Sequence, residues 1–178
     1  MKPLTSLSGR LILRALNLAD AEFIRVLVNE PDWLTYIGDK GVATLADAEN
    51  YLLTGPLKSY HESGFGLLAI EQKQSGQTVG VCGWLKRSYL PYPDLGFAVL
   101  DEFKRQGIAY DAAHSLMTHA HSQHGFTQVM AITSPHNQAS IDLLKKLGFQ
   151  WQQQKVVALN EEPVNLFHKT LLPPRLAD

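Results

Sequence analysis

A short basic turn between an apolar strand and a long helix is the segment with the clearest chemical potential. The strand covers residues 95–100, the turn residues 104–109, and an amphipathic helix then runs to about residue 123. The first turn of a helix offers unpaired backbone N–H groups and the positive end of the helix dipole, and Gly107 lets a ligand approach the backbone closely. This arrangement suits a phosphate or pyrophosphate. On the local pattern alone, an ordinary strand–turn–helix unit that binds nothing is an equally good interpretation.

Cysteine and histidine are the other side chains with nucleophilic or metal-binding chemistry. Cys82 lies in the apolar run of residues 78–84, where a small buried hydrophobic residue is a better interpretation than a nucleophile. His114 and His121 share one face of the helix after the basic turn, but a metal site needs more converging ligands. We therefore expect no metal site.

The composition is that of a soluble globular protein with one domain, residues 1–178. The chain has 16 Lys and Arg residues against 17 Asp and Glu residues, so a broad basic surface for nucleic acid is not expected. Because Cys82 is the single cysteine, it forms no internal disulfide and suits a reducing compartment. No apolar stretch has membrane-spanning length, and the N-terminus lacks the apolar core of a signal peptide. These features predict a cytoplasmic protein without nucleic-acid or membrane partners.

Periodicity and capping residues predict the elements that must position the basic turn. Asn17 and Thr44, each followed three residues later by an aspartate, are typical helix N-caps. The apolar residues of the helix after the turn recur at four-residue steps and predict one buried face, namely Ile108, Ala112, Leu116 and Ala120. Strands are predicted at 10–14, 66–71, 78–85, 95–100, 128–133, 151–159 and 164–170, helices from 17 to before Pro31, at 44–55, 57–61, 108–123 and 137–147, an irregular segment at 33–41 and a turn at 160–163. This order predicts a mixed sheet with helices on both faces.

Taken in order, the motifs resemble the GCN5-related N-acetyltransferase (GNAT) superfamily, and within it the branch of ribosomal-protein alanine and serine N-acetyltransferases. The resemblance covers nearly the whole chain, and it is specific through the order and spacing of its pieces. These are Arg10-Leu-Ile-Leu-Arg14, Leu18-Ala-Asp-Ala21, Gly80-Val-Cys-Gly83, Asp94-Leu-Gly-Phe97, Arg105-Gln-Gly-Ile-Ala109, Asn137-Gln-Ala-Ser140 and Lys146-Leu-Gly-Phe149. The resemblance implies an α/β (mixed α+β) fold, with a central, mostly antiparallel sheet of about seven strands.

The resemblance also implies that the basic turn binds acetyl-CoA. In the superfamily the pattern Arg/Gln-x-x-Gly-x-Gly/Ala wraps the pyrophosphate of coenzyme A, and here it falls on residues 104–109. Lys104 in the first place is a departure, but backbone N–H groups hold most of the phosphate contacts. The implied cofactor-binding residues are Val99, Leu100, Arg105, Gln106, Gly107, Ile108, Ala109, Tyr110 and Asn137. The backbone of Val99 and Leu100 is expected to pair with the pantetheine arm like an added strand, and an N–H there would polarise the thioester carbonyl. Asn137 is also well suited to cap the following helix, and the two roles can coexist.

Two catalytic roles follow from the resemblance, each with a simpler alternative. Many members carry a tyrosine acid where this chain has Leu144, and the resembling branch is thought to use the serine that corresponds to Ser140. Ser140 is equally well explained as a first-turn residue that bonds the Asn137 cap. Asp94 stands where the branch often has a glutamate base, but an ordinary pKa of about 4 is too low for an efficient base unless burial raises it. A solvated loop carboxylate, or one that only attracts a cationic amine, is the alternative.

The sequence therefore predicts an acetyl-CoA-dependent N-acetyltransferase that transfers the acetyl group directly to an amine. The acceptor is a protein N-terminus or a small-molecule amine, and the protein acts as a monomer or homodimer. A non-catalytic acyl-CoA-binding or regulatory protein is the alternative, because Leu144 and Asp94 replace the residues that the family pattern leads one to expect. Neither Gly-x-Gly-x-x-Gly nor a Walker-type lysine loop occurs, which disfavours another class of nucleotide-binding protein.

Overall fold

One eight-stranded sheet organises the computed structural model, which describes residues 2–157 and 160–171. The strands are β1 (Leu4–Thr5), β2 (Leu11–Ala15), β3 (Leu67–Gln72), β4 (Thr78–Leu85), β5 (Asp94–Val99), β6 (Gln128–Thr133), β7 (Gln150–Val157) and β8 (Asn160–Thr170). The helices are α1 (Ala21–Leu27), α2 (Pro31–Tyr36), α3 (Leu45–Leu52), α4 (Lys58–Ser63), α5 (Ile108–His124) and α6 (Gln138–Lys146). Short 3₁₀ turns at Leu18–Asp20 and Asp101–Phe103 and a π-helical turn at Leu53–Leu57 complete the described elements.

The sheet consists of two antiparallel halves that meet at one parallel pair. The strand order is β1-β2-β3-β4-β5-β6-β8-β7, and every neighbouring pair is antiparallel except β5 and β6. The prediction of a mixed, mostly antiparallel sheet of about seven strands is thereby confirmed. The strand that the sequence did not predict is β1, which has two residues.

Two apolar layers, one on each face of the sheet, hold the helices. On one face the buried side of α5, which includes Ile108, Ala112 and Leu116, packs with α6 residues against inward residues of β2 to β6. On the other face, α1 and α3 cover residues such as Ala69 and Val81. The predicted buried face of α5 and the predicted placement of helices on both faces are therefore confirmed.

Helix starts follow the predicted caps. Asn17 and Asp20 form a capping box at the first 3₁₀ turn, and Thr44 and Asp47 form another at α3. Each box satisfies backbone N–H groups that the first helical turn leaves unpaired.

Two predictions of local structure are wrong. Pro31 was predicted only to mark the end of the first helix, but it occupies the first position of α2. The first residues of the segment predicted to be irregular, 33–36, are therefore helical. Proline suits this position because its fixed φ and missing N–H cost nothing there. The turn predicted at 160–163 is also wrong, since β8 begins at Asn160 and pairs Pro163 with Val156. The last two residues of the predicted strand 151–159 lie outside the described residues.

Gly83→Ala is expected to destabilise the fold by about 1–3 kcal/mol, because it forces a side chain into a closely packed strand pair. A Cβ at Gly83 would lie 2.6 Å from the Cα of Leu67 and closer still to the carbonyl oxygen of Gly66, and neither backbone atom can move cheaply. Gly55→Ala is the matched control, because nothing lies within 4 Å of a Cβ at Gly55. Urea unfolding of both variants checks the difference, and equal stabilities would contradict it.

Candidate active site

A wedge opens between β5 and β6 at the centre of the sheet. The two parallel strands pair at Asp94 and Met130, where the Met130 N–H donates to the Pro93 carbonyl at 2.9 Å. Beyond this point the described residues of the two strands form no further ladder, although β4 still holds the far edge of β5 and β8 the far edge of β6. Two strand edges therefore face each other across the wedge.

The hydrogen-bond alternation of β5 determines which backbone groups face the wedge. The Leu100 N–H donates to the Val79 carbonyl at 2.9 Å, and the Leu100 carbonyl accepts from the Phe103 N–H at 2.9 Å. Since successive residues of a strand direct these groups to opposite edges, the backbone of Phe97 and Val99 is directed away from β4 and into the wedge. Of the two residues predicted to pair with a ligand, Val99 is thus oriented to do so, whereas the N–H of Leu100 is already engaged.

The basic turn lies where β5 leads into α5. Arg105 has a φ of 60° and Gly107 a φ of 75°, and Arg105 is the only non-glycine residue with positive φ among those described. No side chain caps α5, and the Asp111 N–H makes the first helical bond, to the Gly107 carbonyl at 2.9 Å. The N–H groups of Ile108, Ala109 and Tyr110 therefore precede the first intrahelical bond and can donate hydrogen bonds to a bound anion.

The positive charges around the turn differ from those that the sequence pattern indicates. The Lys104 ammonium contacts Asp32 and Asp101, so its charge is engaged within the protein. Arg10 instead comes close to the turn, with its Nη2 atom 3.9 Å from where a Cβ would stand on Gly107. Sequence reasoning missed Arg10 as a site residue, because it lies about a hundred residues earlier.

A buried carboxylate holds the hairpin that carries Arg10. Asp111, in the first turn of α5, accepts hydrogen bonds from the Ser6 hydroxyl at 2.9 Å and from the Ser8 hydroxyl. The Leu7 N–H donates to the Ser115 hydroxyl at 2.9 Å, one helical turn further on. The start of the chain is thereby fixed across the N-terminus of α5.

The first turn of α6 lies at the same edge of the sheet as the basic turn, because β5 and β6 run parallel and each leads into its helix there. Asn137 caps α6, with its Oδ1 accepting from the Ser140 N–H at 3.0 Å. The predicted N-cap is therefore confirmed, while the amide nitrogen of Asn137 makes no hydrogen bond to the described residues. The Ser140 side chain is half-buried, and only its N–H takes part in the cap.

An aromatic and cationic cluster flanks the start of α5. The Lys146 ammonium, from the last turn of α6, lies 4.4 Å from the centre of the Tyr110 ring. His114 stacks on the same ring with centroids 5.5 Å apart. Helix α6 thus places a positive side chain beside the first turn of α5.

Asp94 is buried at the narrow end of the wedge. Its side chain is 1% exposed, and Oδ2 accepts from Arg87 Nε at 3.0 Å, while Oδ1 has no hydrogen-bond partner among the described residues. Burial raises the pKa of Asp94 to about 6, although the Arg87 guanidinium acts to lower it. The alternative of a solvated loop carboxylate is therefore wrong. The raised pKa brings this group into the range of a general base near neutral pH.

The two faces of the wedge differ in chemistry. Leu95, Phe97 and Val99 pack on the face that α5 covers. Because side chains alternate along a strand, Asp94 and Ala98 point to the other face, where Ala98 packs with the α1 and α3 layer. The basic turn and the carboxylate consequently approach the wedge from opposite sides of the sheet.

Arg87 is a site residue that sequence reasoning missed. Besides holding Asp94, its Nη1 atom donates to the Tyr89 hydroxyl at 3.1 Å. A signal was present in the sequence, because the Lys86-Arg87 pair directly follows the predicted strand 78–85 and precedes Asp94 by only a short loop. Among the aromatic side chains, Trp33 and Trp84 are buried in the core, whereas Tyr92 lines an open cavity.

The described part of the chain offers little support for a metal site, a cysteine nucleophile or a membrane-spanning helix. Residues 2–157 and 160–171 contain no group of three or more His, Cys, Asp and Glu side chains placed to hold a metal ion. Cys82 is buried, and burial raises the pKa of its thiol, as expected for a core residue. None of the helices described is both long and apolar enough to span a membrane.

Comparison with known proteins gives one family and consistent structural neighbours. The model of the acetyltransferase (GNAT) domain matches residues 10–150. The uncharacterized N-acetyltransferase YoaA of Bacillus subtilis (strain 168) is 25% identical over 145 residues, which is 80% of this chain and 81% of the relative. The ribosomal L7/L12 alpha-N-protein acetyltransferase RimL, in complex with coenzyme A, aligns with a TM-score of 0.76 at 17% identity, over 96% of this chain and 98% of its own. The ribosomal-protein-S5-alanine acetyltransferase of Vibrio fischeri aligns with a TM-score of 0.74 at 18% identity, over 91% and 93%.

Proposed function

The chain belongs to the GNAT acetyltransferase family, and from this premise we propose that it transfers the acetyl group of acetyl-CoA directly to an amine, either a protein N-terminus or a small molecule. The observation that carries the proposal is the juxtaposition of the wedge, the uncapped start of α5 and the buried carboxylate of Asp94. A near-balanced charge and a single, buried cysteine support a cytoplasmic protein without a nucleic-acid partner. The protein would act as a monomer or a homodimer.

The residues at the wedge fit coenzyme A chemically. The pyrophosphate would lie on the N–H groups at the start of α5, beside Arg105, Gln106 and Gly107, because these groups have no intrahelical partner. The pantetheine arm would pair with the backbone of Val99 in the manner of an added strand. Bound acetyl-CoA supplies an acetyl thioester, and a backbone N–H directed into the wedge would stabilise negative charge on its carbonyl oxygen.

Asp94 is proposed to accept the proton of the amine, and Ser140 to stabilise the leaving thiolate, which takes its proton from solvent. Asp94 would take the proton of the acceptor amine through Oδ1, the oxygen that Arg87 leaves unpaired. Because Asp94 is 1% exposed, a bridging water is the suitable relay between its carboxylate and the amine. Ser140, whose hydroxyl is not used by the cap, would donate a hydrogen bond to the leaving thiolate.

Steady-state thiol release with acetyl-CoA and a panel of amines and peptides tests the proposed transfer. Calorimetric titration with acetyl-CoA, compared with ATP and NAD, tests the binding step separately. We expect selective binding of acetyl-CoA and turnover with at least one amine. Absence of acetyl-CoA binding at millimolar concentration would overturn the proposal.

A non-catalytic acyl-CoA-binding protein is the second candidate function. Leu144, which occupies the place of the tyrosine acid found in many family members, is 1% exposed and belongs to the core under α6. The family's usual acid is therefore replaced by a packing residue. Tight coenzyme A binding without turnover for any amine would favour this candidate.

Asn137→Ser is expected to separate the two roles assigned to Asn137. Serine caps a helix about as well as asparagine does, so stability should change by no more than about 0.5 kcal/mol. Loss of the amide N–H donor should raise the Kd for acetyl-CoA about three- to tenfold, the equivalent of about 1 kcal/mol. Thermal unfolding and calorimetry provide the two measurements. If neither property changes, Asn137 is a cap only.

A further inference from the structure

A cavity opens beside Arg87, next to the loop that precedes Asp94. It has a volume of about 910 Å³ and lies between the turn that joins α3 to α4, α4 itself, and the loop from β4 to β5. Its volume is near the upper end of the range for small-molecule pockets, roughly 300–1,000 Å³. The family comparisons and the motifs of the basic turn assign nothing to this cavity.

The charged side chains that line the cavity are mostly cationic. They are Lys58, Lys86 and Arg87, against one carboxylate among the lining residues, that of Glu62. The Nζ atom of Lys58 lies 3.8 Å from Oε1 of Glu62 on the next helical turn, so these two charges offset each other. Lys86 forms no ion pair with the described residues, so its ammonium is the charge that remains uncompensated at the wall.

Arg87 connects the cavity to the proposed proton acceptor. Its Nε atom holds Asp94 at 3.0 Å and its Nη1 atom donates to Tyr89 at 3.1 Å. Its Nη2 atom makes no hydrogen bond to the described residues, and the side chain is 34% exposed. The Nη2 donors of the guanidinium are therefore free of partners among these residues, and Asp94 lies on the Nε side of the same group.

This order of charges matches an amine that also carries a carboxylate. An amine directed toward Asp94 could place a carboxylate one or two carbons away within reach of the Nη2 atom of Arg87 and near Lys86. Guanidinium and ammonium groups form charge-assisted hydrogen bonds with carboxylates. A polyamine would instead bring a second positive charge against Lys86 and Arg87, which is unfavourable.

We propose that this cavity binds the acceptor and that Lys86 and Arg87 select free amino acids, or similar small amino carboxylates, over amines that lack a carboxylate. The inference rests on the proposed acetyl transfer for its reaction but on the cavity alone for its recognition. The proposed recognition of the carboxylate distinguishes a free amino acid from a protein N-terminus, in which an amide replaces the carboxylate.

Matched acceptors test the proposal most directly. We would compare kcat/KM for several free amino acids with kcat/KM for their carboxamides, and include spermidine as a polyamine. The carboxamides have more of their amine deprotonated at a given pH, so a preference for the free acid cannot come from amine basicity. We expect a preference of about tenfold or more for the acid, the equivalent of one charge-assisted hydrogen bond. Equal values for acid and carboxamide, or a preference for spermidine, would overturn the proposal.

Variants with opposite expected effects identify the responsible charge. Lys86→Gln should reduce the preference for the acid about three- to tenfold, whereas Glu62→Gln should increase it. Lys73→Gln, in the exposed turn between β3 and β4, is the control and should leave both kcat/KM values unchanged. Arg87 is not used alone, because its replacement also disturbs Asp94. Equal effects of the Lys86 and Lys73 substitutions would overturn the assignment.

A binding measurement separates failure of this proposal from failure of the proposed function. Ligand-observed NMR with the amino acid and its carboxamide, without acetyl-CoA, requires no chemistry. Binding that favours the acid and weakens in Lys86→Gln supports the cavity assignment even if no amine is acetylated. Turnover without such a preference leaves the transferase function standing and overturns the cavity assignment.

Discussion

Asp94→Asn is expected to lower kcat by about 10²–10⁴-fold, the usual contribution of a positioned general base. The substitution keeps the shape of the side chain and removes the group that would accept the amine proton. Because the basic turn lies on the other side of the wedge, the Kd for acetyl-CoA should change little. Steady-state thiol release and calorimetry measure the two quantities on the same preparation.

The same variant is expected to change the pH dependence. With the pKa of Asp94 raised by burial to about 6, kcat/KM of the unaltered protein should fall as pH falls through about 6, because the protonated carboxyl cannot act as a base. Arg87 is the charged group in contact with Asp94, and Lys40 and Tyr51 face that arginine. In Asp94→Asn this acidic limb should be absent.

Stability should move in the opposite direction over the same range. A carboxyl whose pKa is about 6 in the folded protein and about 4 when unfolded stabilises the fold below pH 4. This contribution is lost as pH rises through about 6, where the buried group ionises. The difference between a pKa of about 6 in the folded protein and about 4 in the unfolded chain corresponds to at most about 2.7 kcal/mol. Urea unfolding from pH 4 to 7, with and without the substitution, isolates the contribution.

Two controls make the Asp94 prediction decisive. Glu49→Gln removes an exposed carboxylate from α3 and should leave kcat, Kd and stability unchanged. Thermal unfolding of Asp94→Asn checks that the variant stays folded after Arg87 has lost its carboxylate partner. A folded Asp94→Asn variant with full turnover would remove Asp94 from the mechanism.

Gly107→Ala is expected to raise the Kd for acetyl-CoA about 10- to 100-fold, which corresponds to about 1.4–2.7 kcal/mol. The methyl group meets no protein atom closer than 3.9 Å, so it would occupy space at the surface of the turn that the pyrophosphate needs. In addition, the φ of 75° at Gly107 is unfavourable for any residue with a Cβ, by about 1–2 kcal/mol. Calorimetry and unfolding measure the two effects separately.

Gly125→Ala is the matched control for backbone strain. Gly125 ends the same helix with a φ of 69°, and nothing lies within 4 Å of a Cβ there. Both variants should lose similar stability, but only Gly107→Ala should weaken acetyl-CoA binding. Equal Kd values for the two variants would show that the basic turn does not contact the ligand.

Much of the fold could be predicted because local chemistry and periodicity agree with it. The four-residue spacing in α5 indicates which side is buried, and Asn17, Thr44 and Asn137 cap elements where their side chains suit such positions. The position of the basic turn also follows from sequence, since a strand, a glycine and a helix succeed each other there. These features depend on residues within a few positions of one another.

The remainder depends on contacts between distant segments. Asp94 follows a proline, and the sequence leaves open whether its carboxylate is solvated, whereas in the fold it is buried and paired with Arg87. Arg10 reaches Gly107 because Asp111 fixes a hairpin that lies about a hundred residues earlier. Local pattern also misjudged Pro31, which is equally suited to end one helix or to begin the next.

The single bridge between β5 and β6 has a kinetic consequence. A β-sheet coheres through its ladder of hydrogen bonds, and here that ladder is reduced to one rung between two antiparallel halves. A ligand that pairs with Val99 on β5 and also contacts the edge of β6 would act as a substitute rung, joining the halves while it is bound. Release of the product would then require the hydrogen bonds between the ligand and the strand edges to break. The residence time of the product would therefore depend on how firmly the two halves of the sheet are held together.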